Sequence, residues 1–137
     1  MLARGVVRAF VLLVGIAVVA GAVGPAFADP RDISVGGVYI TTITQDSAGY
    51  TAEQRATEVT RRITRILGTP EFRQGAVVTV KQDGANALVT VGNILVFTVT
   101  PADAKGSGTT LYVAKQWARL LAEGLTKALP GSNFHGF

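Results

Sequence analysis

The sequence predicts an α+β domain: a mainly antiparallel sheet of four to five strands with two helices packed on one face. Three observations predict it. Short runs rich in β-branched and aromatic residues are separated by glycine-bearing turns. Two longer stretches, residues 51–67 and 109–129, carry apolar side chains at helical spacing. The second half also resembles the first. Val35 aligns with Val91, Gly36 with Gly92, Thr42 with Thr98, Thr44 with Thr100 and Ala48 with Ala104. After two extra residues in the second loop, Thr51 aligns with Thr109, Ala56 with Ala114, Arg61 with Arg119 and Leu67 with Leu125. Two copies are too few for a solenoid, so the expectation is one domain whose halves share a sheet, a possible internal β-α repeat.

The chain starts as a targeting signal would. Arg4 and Arg8 give a positive start, residues 9–24 are almost wholly apolar, and Pro25 ends the run. Ala26-Phe27-Ala28 is a small-x-small cleavage pattern, so the expected cut lies between Ala28 and Asp29. The alternative, an uncleaved anchor, needs about 20 apolar residues to span a bilayer, and this run is shorter. The expected organisation is therefore a signal peptide at 1–28, one domain at 29–129 and a flexible tail at 130–137, in a protein of the periplasm or the extracellular space. Cysteine is absent, which excludes a lipoprotein, disulfides, thiol catalysis and thiolate metal sites. Two of the thirteen basic residues lie in the signal, against nine acidic ones in all, so the basic pI overstates any case for nucleic acid.

Residues 33–35 and 38–44 read as strands around a Gly36-Gly37 turn. In the first helix Thr51 is the expected N-cap, and Ala52, Ala56, Val59, Ile63 and Ile66 form one stripe. Gly68-Thr69-Pro70 stops it. At about 100° per residue, Arg61, Arg62 and Arg65 share the exposed flank, with Arg55 at the edge of the stripe. That flank is either a solvated face paired with Glu58 or a contact for anions or lipid headgroups.

Residues 76–82 and 87–91 follow as a hairpin around Asp83-Gly84, and Gly92-Asn93 turns into the strand 94–100. There Leu95, Phe97 and Val99 are expected on one side, Ile94 and Val96 on the other. Residues 101–108 read as a connector, since they lack the spacing of a phosphate-binding loop. The second helix has an apolar arc of about half its wheel, including Val113, Trp117, Leu121 and Leu125. Gly124 lies in that arc, where glycine costs a helix about 1 kcal/mol and admits another backbone. Trp117, Leu120 and Gly124 are thus either core or a partner surface.

His135 is the only histidine and is the third residue from the end, which argues against a serine triad or a histidine metal site. The carboxylates show no paired motif. No catalytic residue, cofactor or metal ligand is expected.

Val91-Gly92-Asn93, Phe97-Thr98-Val99-Thr100, Asp103-Ala104 and the helix bearing Ala114 and Trp117 are similar to the extracytoplasmic segment of some bacterial small-conductance mechanosensitive-channel proteins. Arg55-Ala56, Val59 and Arg62-Ile63 match the helix of that segment. The resemblance covers residues 33–129. No membrane helix or pore segment follows Leu129 here, so it implies a free-standing sensory or accessory module. From Thr51 onward the order of elements also resembles the BON domain, with Gly92 matching its turn glycine, and this implies a phospholipid-binding envelope protein. The expected function is an exported, non-enzymatic interaction module. Its partner is either an envelope membrane protein or an anionic lipid surface; a small enzyme is the remaining alternative.

Overall fold

The computed structural model describes residues 29–137. The expected signal segment and the Ala28 side of its cleavage site lie outside them. Strands β1 (Asp32–Val35) and β2 (Val38–Thr42) pair antiparallel around Gly36-Gly37, whose φ angles of 59° and 80° suit glycine alone. Ahead of them, Arg31 holds the Asp29 carboxylate through side-chain and backbone hydrogen bonds, which lowers its pKa to about 2.

Helix α1 (Ala52–Gly68) opens with a capping box: Thr51 accepts from the Gln54 N–H, and the Gln54 side chain accepts from the Thr51 N–H. Asp46 accepts the Ala52 N–H as well. The stripe Ala52, Ala56, Val59, Ile63 and Ile66 is buried, as its spacing predicts. A 3₁₀ turn at Pro70–Phe72 then leads to β3 (Val77–Asp83), β4 (Asn86–Val91) and β5 (Ile94–Val99). The short helix α2 (Pro101–Ala104), the long helix α3 (Thr110–Ala128) capped by Thr109, and β6 (His135–Gly136) complete the order.

The fold is α+β, and its strands form two sheets. One has the order β5-β4-β3-β6; its pairs are antiparallel except β3 with β6. The β1–β2 hairpin stands as a separate two-stranded sheet, so the halves do not share one sheet as expected. What they share is α3. Strands β1 to β5 all bear on it, which explains its wide apolar arc: one sheet cannot cover half a helix. Helix α1 does not lie beside α3 on the sheet face but runs along β5 and against β1.

The two hairpins correspond position by position. Val35-Gly36-Gly37-Val38 and Val91-Gly92-Asn93-Ile94 make like turns, with Gly36 at φ 59° and Gly92 at φ 58°. Each hairpin precedes a threonine-capped helix.

Strand β5 departs from simple alternation. Val89 lies opposite Phe97, but Thr90 lies opposite Leu95, so Val96 bulges out of the ladder. Ile94 and Phe97, three residues apart, therefore share the core side with Val91 and Val89, and both are buried. Leu95 turns to the outer side with Thr90 and does not align with Phe97 and Val99 as strict period two requires.

Residues 130–137 are not a frayed tail. Phe134 is buried, and its N–H donates to the Thr126 hydroxyl. The His135 N–H donates to the Ala76 carbonyl and the Phe137 N–H to that of Val78, which adds β6 to the sheet. One buried aromatic ring supplies the anchor that a polar tail would lack.

Candidate functional site

Strand β5 is an edge: it pairs only with β4, and its other side faces α1. Bare edge carbonyls attract foreign strands. Here arginines of α1 occupy them. Arg55 Nη2 donates to the Thr98 carbonyl at 3.1 Å, and Arg62 Nη1 reaches that of Val96 at 3.4 Å.

Arg55 is the better held of the two. Its guanidinium also donates to the Gln45 carbonyl at 2.6 Å and to both Asp103 carboxylate oxygens, at 3.0 and 2.7 Å. The Asp103 side chain is 3% exposed and that of Arg55 12%, so the pair is close to dry. Asp103 also accepts from the Thr100 N–H and hydroxyl, in the capping box that makes the single turn of α2. That turn holds the carboxylate where Arg55 of α1 meets it.

Further along α1, Glu58 accepts from both Arg61 and Arg62. Those bonds, Arg61's first, hold the Glu58 carboxyl below its usual pKa. Arg65 forms no ion pair among the described residues.

Between α1 and β5 the packing leaves two adjoining clefts that share Glu58, Arg61 and Arg62. The first, about 440 Å³, has Ile43, Val59, Val96 and Phe97 in its lining, with Tyr50, Gln54 and Arg55 around them. The second, about 360 Å³, is lined by Glu58, Arg61, Arg62, Arg65, Asn93, Ile94 and Leu95. One cleft is mixed and partly apolar; the other is basic.

The structure thus brings Arg61, Arg62 and Arg65 together in one recess, as their helical spacing predicts. It does not bring Trp117, Leu120 and Gly124 to an open face. The Trp117 ring packs on Phe97, with centroids 5.1 Å apart at 58°. Gly124 is buried against β1: a Cβ there would sit 2.5 Å from both the Val35 carbonyl oxygen and its Cγ1. Leu120 is partly buried against the core. The backbone that Gly124 admits is this chain's own hairpin, which covers the arc. Sequence reasoning missed Asp103 and Tyr50 as parts of the site. The spacing Thr100-x-x-Asp103 is a capping-box pattern and was the available signal for the first.

Chemically the clefts offer cationic N–H donors beside apolar walls. Both nearby carboxylates, Asp103 and Glu58, are tied to arginines. Among the described residues no group of three or more histidines and carboxylates could hold a metal ion, and no helix is long and apolar enough to cross a membrane. His135 is exposed on β6, away from both clefts.

A family model described as a domain of unknown function, DUF8459, matches residues 32–128. The chain belongs to this family. The DUF8459 match takes in every residue lining the two clefts and the Arg55–Asp103 pair, and it stops short of β6. No curated protein and no solved structure matches the chain.

Proposed function

We propose that this DUF8459 protein is an exported, non-enzymatic interaction module of the cell envelope that takes its partner in the α1–β5 clefts. The observation that carries the reading is the larger cleft, apolar in part and open beside a row of arginines, within the span of the family match. Pockets of this kind are the default binding sites of small domains. The leader-like N-terminus supports export to the periplasm or beyond. The similarity to the extracytoplasmic segment of mechanosensitive-channel proteins supports a membrane protein as partner and a sensory or accessory role. We read the matched hairpin–helix units as an internal repeat, with the clefts lying between α1 of the first and β5 of the second.

The test uses Tyr50, which is 61% exposed beside the larger cleft. A photo-crosslinking amino acid at position 50 of the full chain is expected to trap an envelope membrane protein in living cells. Absence of any adduct there, with the protein recovered from the cytoplasm, overturns the reading.

A second reading, an anionic lipid surface, is favoured by Arg65, which has no ion-pair partner among the described residues, and by the BON-like order of elements. Flotation with phosphatidylglycerol vesicles tests it. Binding that is lost in the Arg61→Ala/Arg65→Ala protein supports lipid; no binding leaves the protein partner.

A further inference from the structure

We infer that two copies of this chain pair through the free edge of β3, antiparallel about Gln82, so that Lys81 of each copy faces Asp83 of the other. Strands β3 and β6 lie at the opposite side of the sheet from β5, so the inference goes beyond the cleft reading and is judged apart from it.

The edge is open where the pairing needs it. Strand β6 pairs with Val77 and Val78 only, and the last bond across runs from the Phe137 N–H to the Val78 carbonyl. Beyond it, among the described residues, no strand lies on that side of Val80, Lys81, Gln82 and Asp83. Lys81, Gln82 and Asp83 are exposed and Val80 is half-buried. The bonds next door fix where the backbone groups point. The Val77 carbonyl accepts from Gly92 on the β4 side, whereas those of Ala76 and Val78 accept from His135 and Phe137 on the β6 side. The β3–β4 ladder runs without a shift from Val78 to Asp83. Alternation therefore turns the N–H and C=O groups of Val80 and Gln82 outward. The Gln82 side chain is tied back to its own turn and to α3: its Nε2 donates to the Gly84 and Asn86 carbonyls and to the Thr110 hydroxyl.

Lys81 and Asp83 make this edge self-complementary. Gln82 points to α3, so its two neighbours point to the other face of the sheet. Neither forms an ion pair among the described residues. A twofold pair must be centred on a residue, because the outward backbone groups belong to alternate residues. Centring on Val80 sets Gln82 of the second copy against Val78, where β6 already lies. Centring on Lys81 or on Asp83 sets like charges directly opposite, which is destabilising. Centring on Gln82 lets the two Gln82 residues exchange both backbone bonds, and each Lys81 then meets an Asp83 in the adjacent, closer pair. Phe137, 47% exposed, stands beside the place where the Gly84-Ala85 turn of the second copy arrives. A lysine on an edge strand ordinarily keeps other strands away. An opposite charge two residues on lets that edge accept one partner in one register. The contact is short, below the ~1,200 Å² of a stable interface, so the pair is a weak one. It points two sets of clefts away from each other, and two engaged partners would then reinforce one another.

The test follows association by sedimentation velocity and diffusion NMR, on the protein as recovered from cells. At rising, millimolar concentration the wild type is expected to pass from monomer to dimer. Lys81→Glu and Asp83→Lys should each weaken the dimer about tenfold, since each sets like charges opposite at both facing pairs. An equimolar mixture of the two variants should pair again, because every facing pair in the mixed dimer is of opposite charge. The chain has no cysteine, so added ones report the register. Lys81→Cys mixed with Asp83→Cys should form a disulfide-linked pair faster than either variant alone, the facing Cα atoms standing about 4.5 Å apart. Circular dichroism verifies that each variant is folded.

A folded wild type that stays monomeric overturns the inference and leaves Lys81 as the guard of the edge. A dimer indifferent to both charge reversals, or one that the mixture does not restore, overturns pairing through β3. Faster linkage of Lys81→Cys alone than of the mixture overturns the register. The crosslinker at position 50 judges the cleft reading by itself, whichever of these results is found.

Discussion

Gly124 gives up about 1 kcal/mol of helix propensity relative to alanine, yet it lies inside the C-terminal part of the most buried helix. The structure shows what is gained. The β1–β2 turn lies directly on it, so that a Cβ at Gly36 would in turn collide with the Gly124 carbonyl. Gly124→Ala places a methyl group against the Val35 carbonyl, which as backbone cannot swing away. We expect a loss of about 1–3 kcal/mol, the usual cost of overfilling a packed site, read from the urea unfolding midpoint. The helical wheel makes the glycine legible as a point of close approach. It does not reveal what approaches, because Val35 and Gly36 are distant in sequence. The arginines show the same division. Spacing alone groups Arg61, Arg62 and Arg65 and puts Arg55 at the border of the stripe. The carboxylate that Arg55 meets lies beyond the next three strands and is chosen by the tertiary fold.

At the level of elements, periodicity and turn residues suffice for both long helices and for the five strands from β1 to β5, because these signals are local. Thr51 caps its helix as read, and Thr109 caps α3. The bulge at Val96 is less accessible: an apolar run offers two ways to alternate, and the pairing with β4 decides between them. Strand β6 is two residues long and has no β-rich composition. Its stability comes from Phe134, which the core buries. Phe134→Ala should therefore cost about 3–5 kcal/mol, in the range for a buried phenylalanine, and bare the outer edge of β3. Hydrogen exchange provides the check: the His135 and Phe137 amides, bonded to Ala76 and Val78, should lose protection before those of β4.

For the whole molecule, an α+β fold is legible but the grouping of its strands is not. Alternation says which side of a strand faces a core; it does not say which strand lies next to which. The halves meet through α3, through α1 on β5, and through the Arg55–Asp103 pair. That pair spans the seam with little water around it, so removing one member strands the other charge. Asp103→Ala is expected to destabilise the protein by about 3–5 kcal/mol. The double replacement Arg55→Met/Asp103→Leu should recover most of that loss, as measured by thermal and urea unfolding.

The way α3 is shared carries a consequence for ancestry. A lone hairpin–helix unit holds only part of an interior: α1 would have no β5 to lie on, and the turn at Gly36 no helix to seat it. Such a unit persists in water only when twinned with another, and its folding would then weaken on dilution. Tethering two of them on one polypeptide makes assembly independent of how many molecules are present.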